Sequence, residues 1–507
     1  MAALLVAACP VRSDARGTEL LPADDPAWID LQELWTRGLL EGLSVFTRPL
    51  AREEIARTLL RSRGENASFG EIPAARRAER EFARELADLG VEGLRESPSL
   101  IESTDGAATV RVRSIAKLLA RATDERGDVL PETYAGASLR AYLPGGSFAL
   151  VDLVVEDIEN DIPIGDSILK GSDWYLSVPT AYLALATDLV DVYAGIFDQR
   201  WGPGHLGTLL LSDAALAYPG IFFGRTFGER ARFTAVTGAI HYSERRWFSA
   251  HRLEWAITPD LHAALHEAAA YSSSGFDPLY TIGLVPYTLV QRYLDRTVSE
   301  PQSLSEHRNN VLAGFDVSWR FAPGWRIDGE FLVDDLATET ATMPHRLAYQ
   351  GGLAWAGRVA NGAANARLEF VKVYRYTYAV YYGENFLQDG VPLGFGPGPD
   401  LEQCTAFVER DFGTDLRLGA GCDVTRSGEG FAGEYWDPAT PESPGSGSAL
   451  SGIVETTLFP HLRVRTTFRD HADANVRAGI QRATNAGHVN GRDDTWPRAE
   501  IDVRWKW

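Results

Sequence analysis

The strongest constraint in this sequence is an alternation of apolar and charged residues that begins near residue 107 and continues to the C-terminus. In the segment from Ala499 to Trp507, the odd positions are Ala, Ile, Val, Trp and Trp, whereas the even positions are Glu, Asp, Arg and Lys. Successive side chains of a β-strand point to opposite faces, so each such segment has one apolar and one charged face. A β-sandwich also alternates, but here charged groups recur on the polar face of strand after strand. The pattern predicts an all-β transmembrane barrel with lipid outside and a polar lumen inside.

The predicted connections between strands alternate between short and long. We place the short turns at Pro259-Asp260, Ala322-Pro323-Gly324, Asn361-Gly362, Phe412-Gly413-Thr414 and Pro460-His461. Long connections follow near 296–309, 336–346, 383–401, 425–448 and 483–497. Short periplasmic turns and long outer loops are typical of outer-membrane barrels, and the expected total is about 16–18 antiparallel strands.

Short and long connections alternate along the whole barrel only if two stretches are interpreted as follows. Residues 461–482 show no slip of parity, and we interpret them as one long strand that projects beyond the membrane. The stretch from Tyr271 to Arg296 does not fit a single strand. We expect a helical or loop excursion there, or two short strands.

The N-terminal part has a different pattern. Residues 25–95 have the apolar spacing of short amphipathic helices, which predicts a small α-helical periplasmic region before the barrel of residues 107–507. Residues 1–15 are typical of a signal peptide or its remnant. The run Val6-Ala7-Ala8-Cys9 also resembles a lipoprotein box, but we favour a plain export leader.

Composition and motifs exclude several functions. The formal net charge of −20 argues against a nucleic-acid partner, because such a protein needs a basic face for phosphates. The sequence contains no G-x-S-x-G, Walker or H-E-x-x-H motif and no Cys/His metal spacing. We therefore expect no enzyme activity, no cofactor and no metal site.

Cys404 and Cys422 each lie nine residues from Gly413, the expected centre of a turn. In a hairpin without bulges they would face each other near disulfide range. We predict a disulfide between them, with two unpaired buried thiols as the alternative.

The densest unusual segment contains Arg200, Trp201 and His205 around a rigid Gly-Pro-Gly turn. These three side chains are candidates for stacking on a sugar and bonding to it. The alternative is that they hold a loop folded into the barrel.

This segment, Arg200-Trp-Gly-Pro-Gly204, resembles the capsule assembly Wzi family of outer-membrane barrels. Three further stretches agree: Ser249 to Trp255, Trp325 to Asp335, and Ala366 to Tyr376. Trp28–Ile55 is similar to the helical N-terminal portion of that family. The resemblance implies a barrel of about eighteen strands with a periplasmic helical part. It also implies a non-enzymatic role in attaching or organising capsular polysaccharide or other exopolysaccharide at the cell surface.

Within this hypothesis, aromatic and acidic residues of two outer loops are the candidate polysaccharide contacts. They are Tyr381, Tyr382, Phe386 and Asp389 in one loop, and Glu434, Tyr435, Trp436 and Asp437 in the other. Expected partners are the polysaccharide, the lipid of the outer membrane and, through the C-terminal Trp507, the barrel assembly machinery. A porin-type diffusion channel is the alternative function, because 16–18 strands can enclose an aqueous lumen.

Overall fold

Eighteen antiparallel strands close into a single barrel in the computed structural model of the protein. The structure describes residues 19–94, 99–106, 108–122, 129–157, 174–187, 190–228, 230–273, 275, 277–291, 309–336, 343–381, 384–468 and 472–506. This architecture confirms the predicted fold class and the predicted range of strand number. The leader predicted at residues 1–15, with Cys9, and the C-terminal Trp507 lie outside the described residues, and those statements stay predictions.

The barrel strands follow chain order, and each pairs with the next. They are β1 Ala108–Ala122, β2 Val129–Tyr142, β3 Phe148–Asp157, β4 Trp174–Ala186, β5 Asp191–Phe197, β6 Tyr218–Phe227, β7 Ala231–His241, β8 Arg246–Thr258, β9 Leu261–Ser272, β10 Asn310–Ala322, β11 Trp325–Asp335, β12 Arg346–Val359, β13 Gly362–Val373, β14 Leu401–Phe412, β15 Leu416–Ser427, β16 Glu455–Phe468, β17 Ala472–Thr484 and β18 Asp493–Lys506. Pairing of β18 with β1, from Ala499↔Ala122 to Lys506↔Ile115, closes the cylinder. A short strand, Ile101–Asp105, extends the sheet beside the start of β1.

The two faces of the wall differ as the alternation predicts. Leu265 and Leu462 are 66% and 67% exposed on the outside, whereas Arg252 and Arg326 are each 1% exposed on the inside. This distribution is the reverse of that in a water-soluble protein and is typical of a wall with lipid around it. Closure gives each of the eighteen wall strands a partner on both sides, so the backbone groups of the described wall bond within the sheet.

The interpretation of residues 461–482 as one strand is wrong. They belong to β16 and β17, which pair from Thr456↔Thr484 to Phe468↔Ala472. Three residues connect Phe468 to Ala472. Because this number is odd, the residues that point outward have even numbers in both strands, and the sequence shows no break in the alternation. Pro460, which we expected in a turn, lies within β16 opposite Cys422.

The stretch from Tyr271 to Arg296 contains helical segments. A helical excursion was one of the three forms expected there, beside a loop and two short strands. Helix Pro278–Ile282 begins with Asp277, whose side chain accepts a hydrogen bond from the Leu279 N–H at 2.8 Å. Residues 287–291 are also helical, whereas residues 274, 276 and 292–296 lie outside the described residues.

Residues 19–94, here called the plug, contain four helices: α1 Ala27–Thr36, α2 Arg52–Glu65, α3 Pro73–Glu81 and α4 Ala83–Asp88. Trp28, Leu31, Leu34 and Trp35 recur at helical spacing on α1 and form a buried core with apolar residues of the other helices. None of the helices described in the structure is long and apolar enough to cross a membrane.

The plug lies at the end of the barrel that carries the short turns. Arg80 bonds to Asp415 at 2.6 Å, and the guanidinium of Arg320 donates to the Trp35 carbonyl at 3.0 Å. Arg37 reaches the Gly357 carbonyl at 2.9 Å. Short turns mark the periplasmic end in barrels of this kind, so the plug covers the periplasmic mouth.

Buried ion pairs join the plug to the luminal wall. Asp30 of α1 accepts from Arg77 of α3 at 2.8 Å and from Arg465 of β16 at 3.0 Å. Arg77 also donates a hydrogen bond to Asp411 of β14 at 3.1 Å, and Arg417 of β15 donates to Glu33 of α1 at 2.5 Å. Burial alone would raise the pKa of Asp30, but the guanidinium groups of Arg465 and Arg77 outweigh it and lower the pKa to about 2.

Two further segments occupy the lumen above the plug. Residues 198–217, here called the inward segment, leave β5 and fold into the barrel before β6 begins. Residues 374–381 and 384–400, here called the outer segment, lie over it: the Ser212 N–H donates to the Leu393 carbonyl at 2.8 Å, and the Tyr378 hydroxyl donates to the Leu209 carbonyl at 2.7 Å. The lumen is therefore filled in three layers.

We expect Asp30→Asn to loosen the docking of the plug by about 3 to 5 kcal/mol at pH 7, because it leaves buried guanidinium groups without their countercharge. The folded-state pKa of Asp30 lies below the ordinary aspartate value of 3.8. Its contribution to stability is therefore present above about pH 4 and lost as the pH falls toward 2. Hydrogen exchange of residues 27–36 should show this loss in the wild type and a shallower pH dependence in the variant. Glu71→Gln, at an exposed carboxylate of the plug, is the control, and equal exchange of D30N and wild type at pH 7 would contradict the assignment.

The layered filling also predicts the electrical behaviour of the barrel. In planar bilayers the intact protein should show no steady large conductance, although eighteen strands alone would enclose an aqueous channel. Deletion of residues 19–94 removes the periplasmic layer and should raise the conductance. A stable open pore in the intact protein would contradict the filled lumen.

Candidate functional site

The inward segment is attached to the plug by backbone pairing. Arg200–Trp201 forms a short antiparallel strand with Thr47–Arg48 of the plug. The Gly202 N–H donates to the Phe46 carbonyl at 2.8 Å, and Trp201 N–H donates to the Leu211 carbonyl at 2.9 Å. The segment and the plug therefore form one continuous body inside the wall.

Two luminal carboxylates hold the segment from the other side. Glu369 of β13 accepts the backbone N–H groups of His205 at 2.9 Å and Leu206 at 2.8 Å. Glu330 of β11 accepts the Leu209 N–H at 2.8 Å. Buried backbone N–H groups need partners, and here charged side chains of the wall supply them.

The glycines of this segment are required by close approach. Gly202 has φ +136°, and a Cβ there would lie 2.6 Å from Oε2 of Glu330. A Cβ at Gly204 would overlap the Gly207 carbonyl oxygen and the Gln350 amide. The Trp-Gly-Pro-Gly sequence thus lets the backbone lie directly against the luminal face.

Arg200 and Trp201, which we predicted as polysaccharide contacts, lie inside the barrel, where groups of the chain itself engage them. Trp201 is fully buried, and its indole N–H donates to Gln199 at 2.9 Å. Arg200 is engaged by Asp213 and the Gly204 carbonyl, each at 2.7 Å. Their role is the alternative considered above, the holding of an inward-folded loop. His205 differs, because it borders a cavity and its ring lies 5.0 Å from that of Phe407.

That cavity, here called the luminal cavity, has a volume of about 510 Å³. It runs along β11 to β18, from Gln403 and Thr457 near the long-loop end to Gln32 and Glu33 of α1 at its floor. Arg463, Arg477 and Arg498 line it on three neighbouring strands. The alternation placed Arg463 on the polar face of its strand, but nothing in the sequence indicated a cavity beside it.

The two outer loops predicted from the sequence meet at the long-loop end. The rings of Tyr381 and Trp436 are 6.2 Å apart at 80°, an edge-to-face contact. The Trp436 indole N–H donates to the Thr440 carbonyl at 2.9 Å. Three other predicted residues of these loops are exposed: Asp389, Tyr435 and Asp437. The prediction missed Phe431, an exposed aromatic residue that precedes them in the second loop.

Other predicted loop residues have structural roles. Phe386 is completely buried and packs against Phe248 and Tyr378. It is therefore not a surface contact, because the outer segment folds into the lumen. Glu434 is bound by Arg375, with Nε to Oε2 at 3.0 Å. Tyr382 lies outside the described residues.

The disulfide predicted between Cys404 and Cys422 is contradicted, since both are free thiols. Phe412 pairs with Leu416, so the hairpin is centred on Thr414 rather than Gly413. Cys404 consequently faces Val424, and Cys422 faces Ala406. Within the part of the chain that the structure describes, no group of three or more His, Cys, Asp or Glu is placed to hold a metal ion.

We expect Gly204→Ala to destabilise the protein by about 1 to 3 kcal/mol, because the added methyl group overpacks the interior. The thermal unfolding midpoint of the purified protein measures this effect. Gly64→Ala is the matched control: nothing lies within 4 Å of a Cβ at that position of α2. The control should leave stability unchanged or raise it slightly, because alanine is the better helix former. A midpoint of G204A equal to that of the wild type would contradict the close packing of the inward segment.

Comparisons with known proteins address the fold and the family. Wzi of Escherichia coli, described as an outer-membrane protein involved in group 1 capsule assembly and as a carbohydrate-binding β-barrel, matches with a TM-score of 0.63 and 17% identity, over 96% of this chain and 99% of that one. Less similar are two Pseudomonas aeruginosa barrels. OprD has a TM-score of 0.44 and 11% identity, over 78% of this chain and 95% of its own. OccK11 (OpdR) has a TM-score of 0.45 and 12% identity, over 78% and 96%.

Sequence comparison gives the family. The search of curated proteins finds no match. The family model described as capsule assembly protein Wzi matches residues 132–496, which is more than half of the chain. This protein therefore belongs to the capsule assembly protein Wzi family of outer-membrane β-barrels.

Proposed function

We propose that this protein binds capsular or other exopolysaccharide at the cell surface, and that it attaches or organises the polymer without catalysing a reaction. The observation that carries the proposal is the contact between Tyr381 and Trp436 at the outer mouth. Membership of a capsule assembly family supports it, as does the carbohydrate binding stated for the E. coli relative.

The chemistry of the two loops suits a saccharide. Aromatic rings cover the apolar faces of sugar rings, and carboxylates accept hydrogen bonds from hydroxyl groups. Tyr435 and Phe431 are 55% and 64% exposed, which is a large free area for aromatic side chains. Exposed Asp389 and Asp437 add acceptors. The hydrogen bond from Trp436 to Thr440 holds the indole in one orientation before a ligand arrives.

The plug, the inward segment and the outer segment argue against the alternative function, a porin-type channel. These three layers occupy the lumen that a porin would leave open. They also support the loops: Arg375, next to the end of β13, fixes Glu434 of the second loop. A filled barrel gives the outer loops a firm base, as a surface receptor requires.

The other two expected partners are the lipid of the outer membrane and the barrel assembly machinery. The exposed apolar side chains around the barrel, such as Leu265 and Leu462, suit contact with outer-membrane lipid. We also propose that the aromatic C-terminal residue, Trp507, is the signal read by the barrel assembly machinery. The plug then faces the periplasm, and the aromatic loops face the cell exterior.

We expect Trp436→Ala and Tyr381→Ala each to weaken binding of the host's purified polysaccharide about tenfold, because loss of one stacking ring corresponds to roughly 1 to 1.5 kcal/mol. Binding of labelled polysaccharide to whole cells and to the purified barrel measures the effect. The double variant should lose most of the binding.

Tyr242→Ala provides the matched control. Tyr242 is 74% exposed in the turn between β7 and β8, on the same outer rim but outside the two loops. This variant should bind like the wild type. Unchanged binding by the Trp436 and Tyr381 variants, with all proteins present at equal surface levels, would remove these residues from the proposed site.

A further inference from the structure

We propose that the luminal cavity is a second saccharide site, specific for a short segment that carries a carboxylate, such as a uronic acid unit. This inference rests on the proposed function, because it assigns a chemical class to the polymer. It concerns a site inside the wall, separate from the aromatic loops.

The cavity has the size and access for such a segment. Its volume of about 510 Å³ falls within the range of roughly 300 to 1,000 Å³ typical of ligand pockets. Gln403, Thr425 and Thr457, close to the long-loop ends of β14, β15 and β16, line its outer part. Helix α1 closes the opposite end, so a ligand would enter from the outer side and stop at the plug.

The arginines of the cavity are arranged in a way that the wall alone does not require. Arg463 of β16 and Arg477 of β17 are direct cross-strand partners. Like charges in that position destabilise a sheet. Arg498 lies on the next strand, paired with Gly479. Their side chains keep exposures of 16%, 34% and 26% although they lie on the luminal face, so the charged groups border free space.

A guanidinium group carries five N–H donors. Arg477 uses three of them, on Glu500 and Asp423, and Arg498 uses three, on Glu500 and Gln481. Both therefore have donors to spare, whereas the neighbouring carboxylates are engaged. Within the described residues, Arg463 makes one side-chain hydrogen bond, from Nε to Glu409 at 2.6 Å. Glu500 accepts from Arg477 through one oxygen and from Arg498 through the other. A ligand that complements this surface must bring acceptors, and a carboxylate matches the paired N–H groups of a guanidinium.

Guanidinium N–H groups without a hydrogen-bond partner are also present at the floor of the cavity. Arg417 and Arg465 both line it, and each has at least one guanidinium nitrogen without a hydrogen-bond partner among the described residues. Buried donors of this kind are costly when unpaired. The cavity therefore offers guanidinium N–H groups along its wall and at its base.

The arginine side chains are held in place before binding. The Arg463 guanidinium lies 4.0 Å from the ring centroid of Phe407, and that of Arg498 lies 4.7 Å from that of Phe459. His205 packs on Phe407 from the inward segment. Fixed side chains lose little freedom when a ligand binds, so this arrangement favours specific recognition.

Isothermal titration of the full-length protein in detergent tests the site with two trisaccharides of equal length. Trigalacturonic acid supplies carboxylates, and maltotriose is the neutral control. We expect trigalacturonic acid to bind at least tenfold more tightly than maltotriose. The double variant Arg463→Gln, Arg477→Gln should lose at least tenfold in affinity for trigalacturonic acid.

Arg482→Gln is the matched control, because Arg482 lies on the same strand as Arg477 but at its outer end, where it is paired with Asp493. This variant should bind trigalacturonic acid like the wild type. Should the double glutamine variant fail to fold, Arg463→Lys, Arg477→Lys keeps the charges and removes the planar donor pairs; it should still bind at least threefold more weakly than the wild type.

The outcomes separate this inference from the proposed function. Equal binding of both trisaccharides, no binding of trigalacturonic acid to the wild type, or full affinity in the folded arginine variant overturns the luminal site, whatever the polymer assay gives. Trp436→Ala and Tyr381→Ala should leave trigalacturonic acid binding intact while they weaken polymer binding. Loss of trigalacturonic acid binding in those loop variants would place the site outside and also overturn the inference.

Discussion

The structure depends on the neutralisation of the charged face that barrel closure turns inward. A wall with lipid outside satisfies its backbone by closure, but its luminal arginines and carboxylates must still find partners. The plug supplies them: Asp30 binds Arg465, and Glu33 binds Arg417. Because an unpaired buried charge costs several kcal/mol, the plug is a set of countercharges for the wall as well as a cover. Wall and plug therefore determine each other's position.

The same requirement explains how an irregular segment can lie in the lumen. A loop buried in a protein brings backbone N–H groups that need acceptors. Glu330 and Glu369, which the strand pattern places on the luminal face, accept them from residues 205–209. Pairing with Thr47–Arg48 joins this segment to the plug. The outer segment packs on it, so the order of the outer loops depends on contacts that begin at the periplasmic mouth.

The alternation of the sequence was enough to predict the barrel and its approximate strand number, and the helical spacing of apolar residues in 25–95 predicted the N-terminal helices. It was not enough to locate two turns. Three-residue connections such as that between Phe412 and Leu416 keep the parity of the outward residues. A strand and a hairpin then look alike, which explains the error at 461–482. Parity also does not distinguish a turn centred on Gly413 from one centred on Thr414, which explains the error at the cysteine pair. Trp201 and Phe386 were misplaced for another reason: an aromatic residue in a loop suits an outer surface and a filled lumen equally, and only the tertiary fold distinguishes them.

Groups that can bind a ligand remain where the charges inside the barrel are not fully neutralised by the chain itself. Around Arg252 the charged groups are buried and matched by acidic side chains of the wall, such as Asp316, and nothing is left for a ligand. Along β16 to β18 the helices of the plug do not reach as far, and guanidinium groups border open space. At the outer mouth, Asp389 and Asp437 of the loops are exposed to solvent, whereas Glu434 is bound by Arg375 and Glu384 by Arg246. We therefore propose that the binding surfaces of this barrel are the positions at which its own chain does not supply the complementary charge.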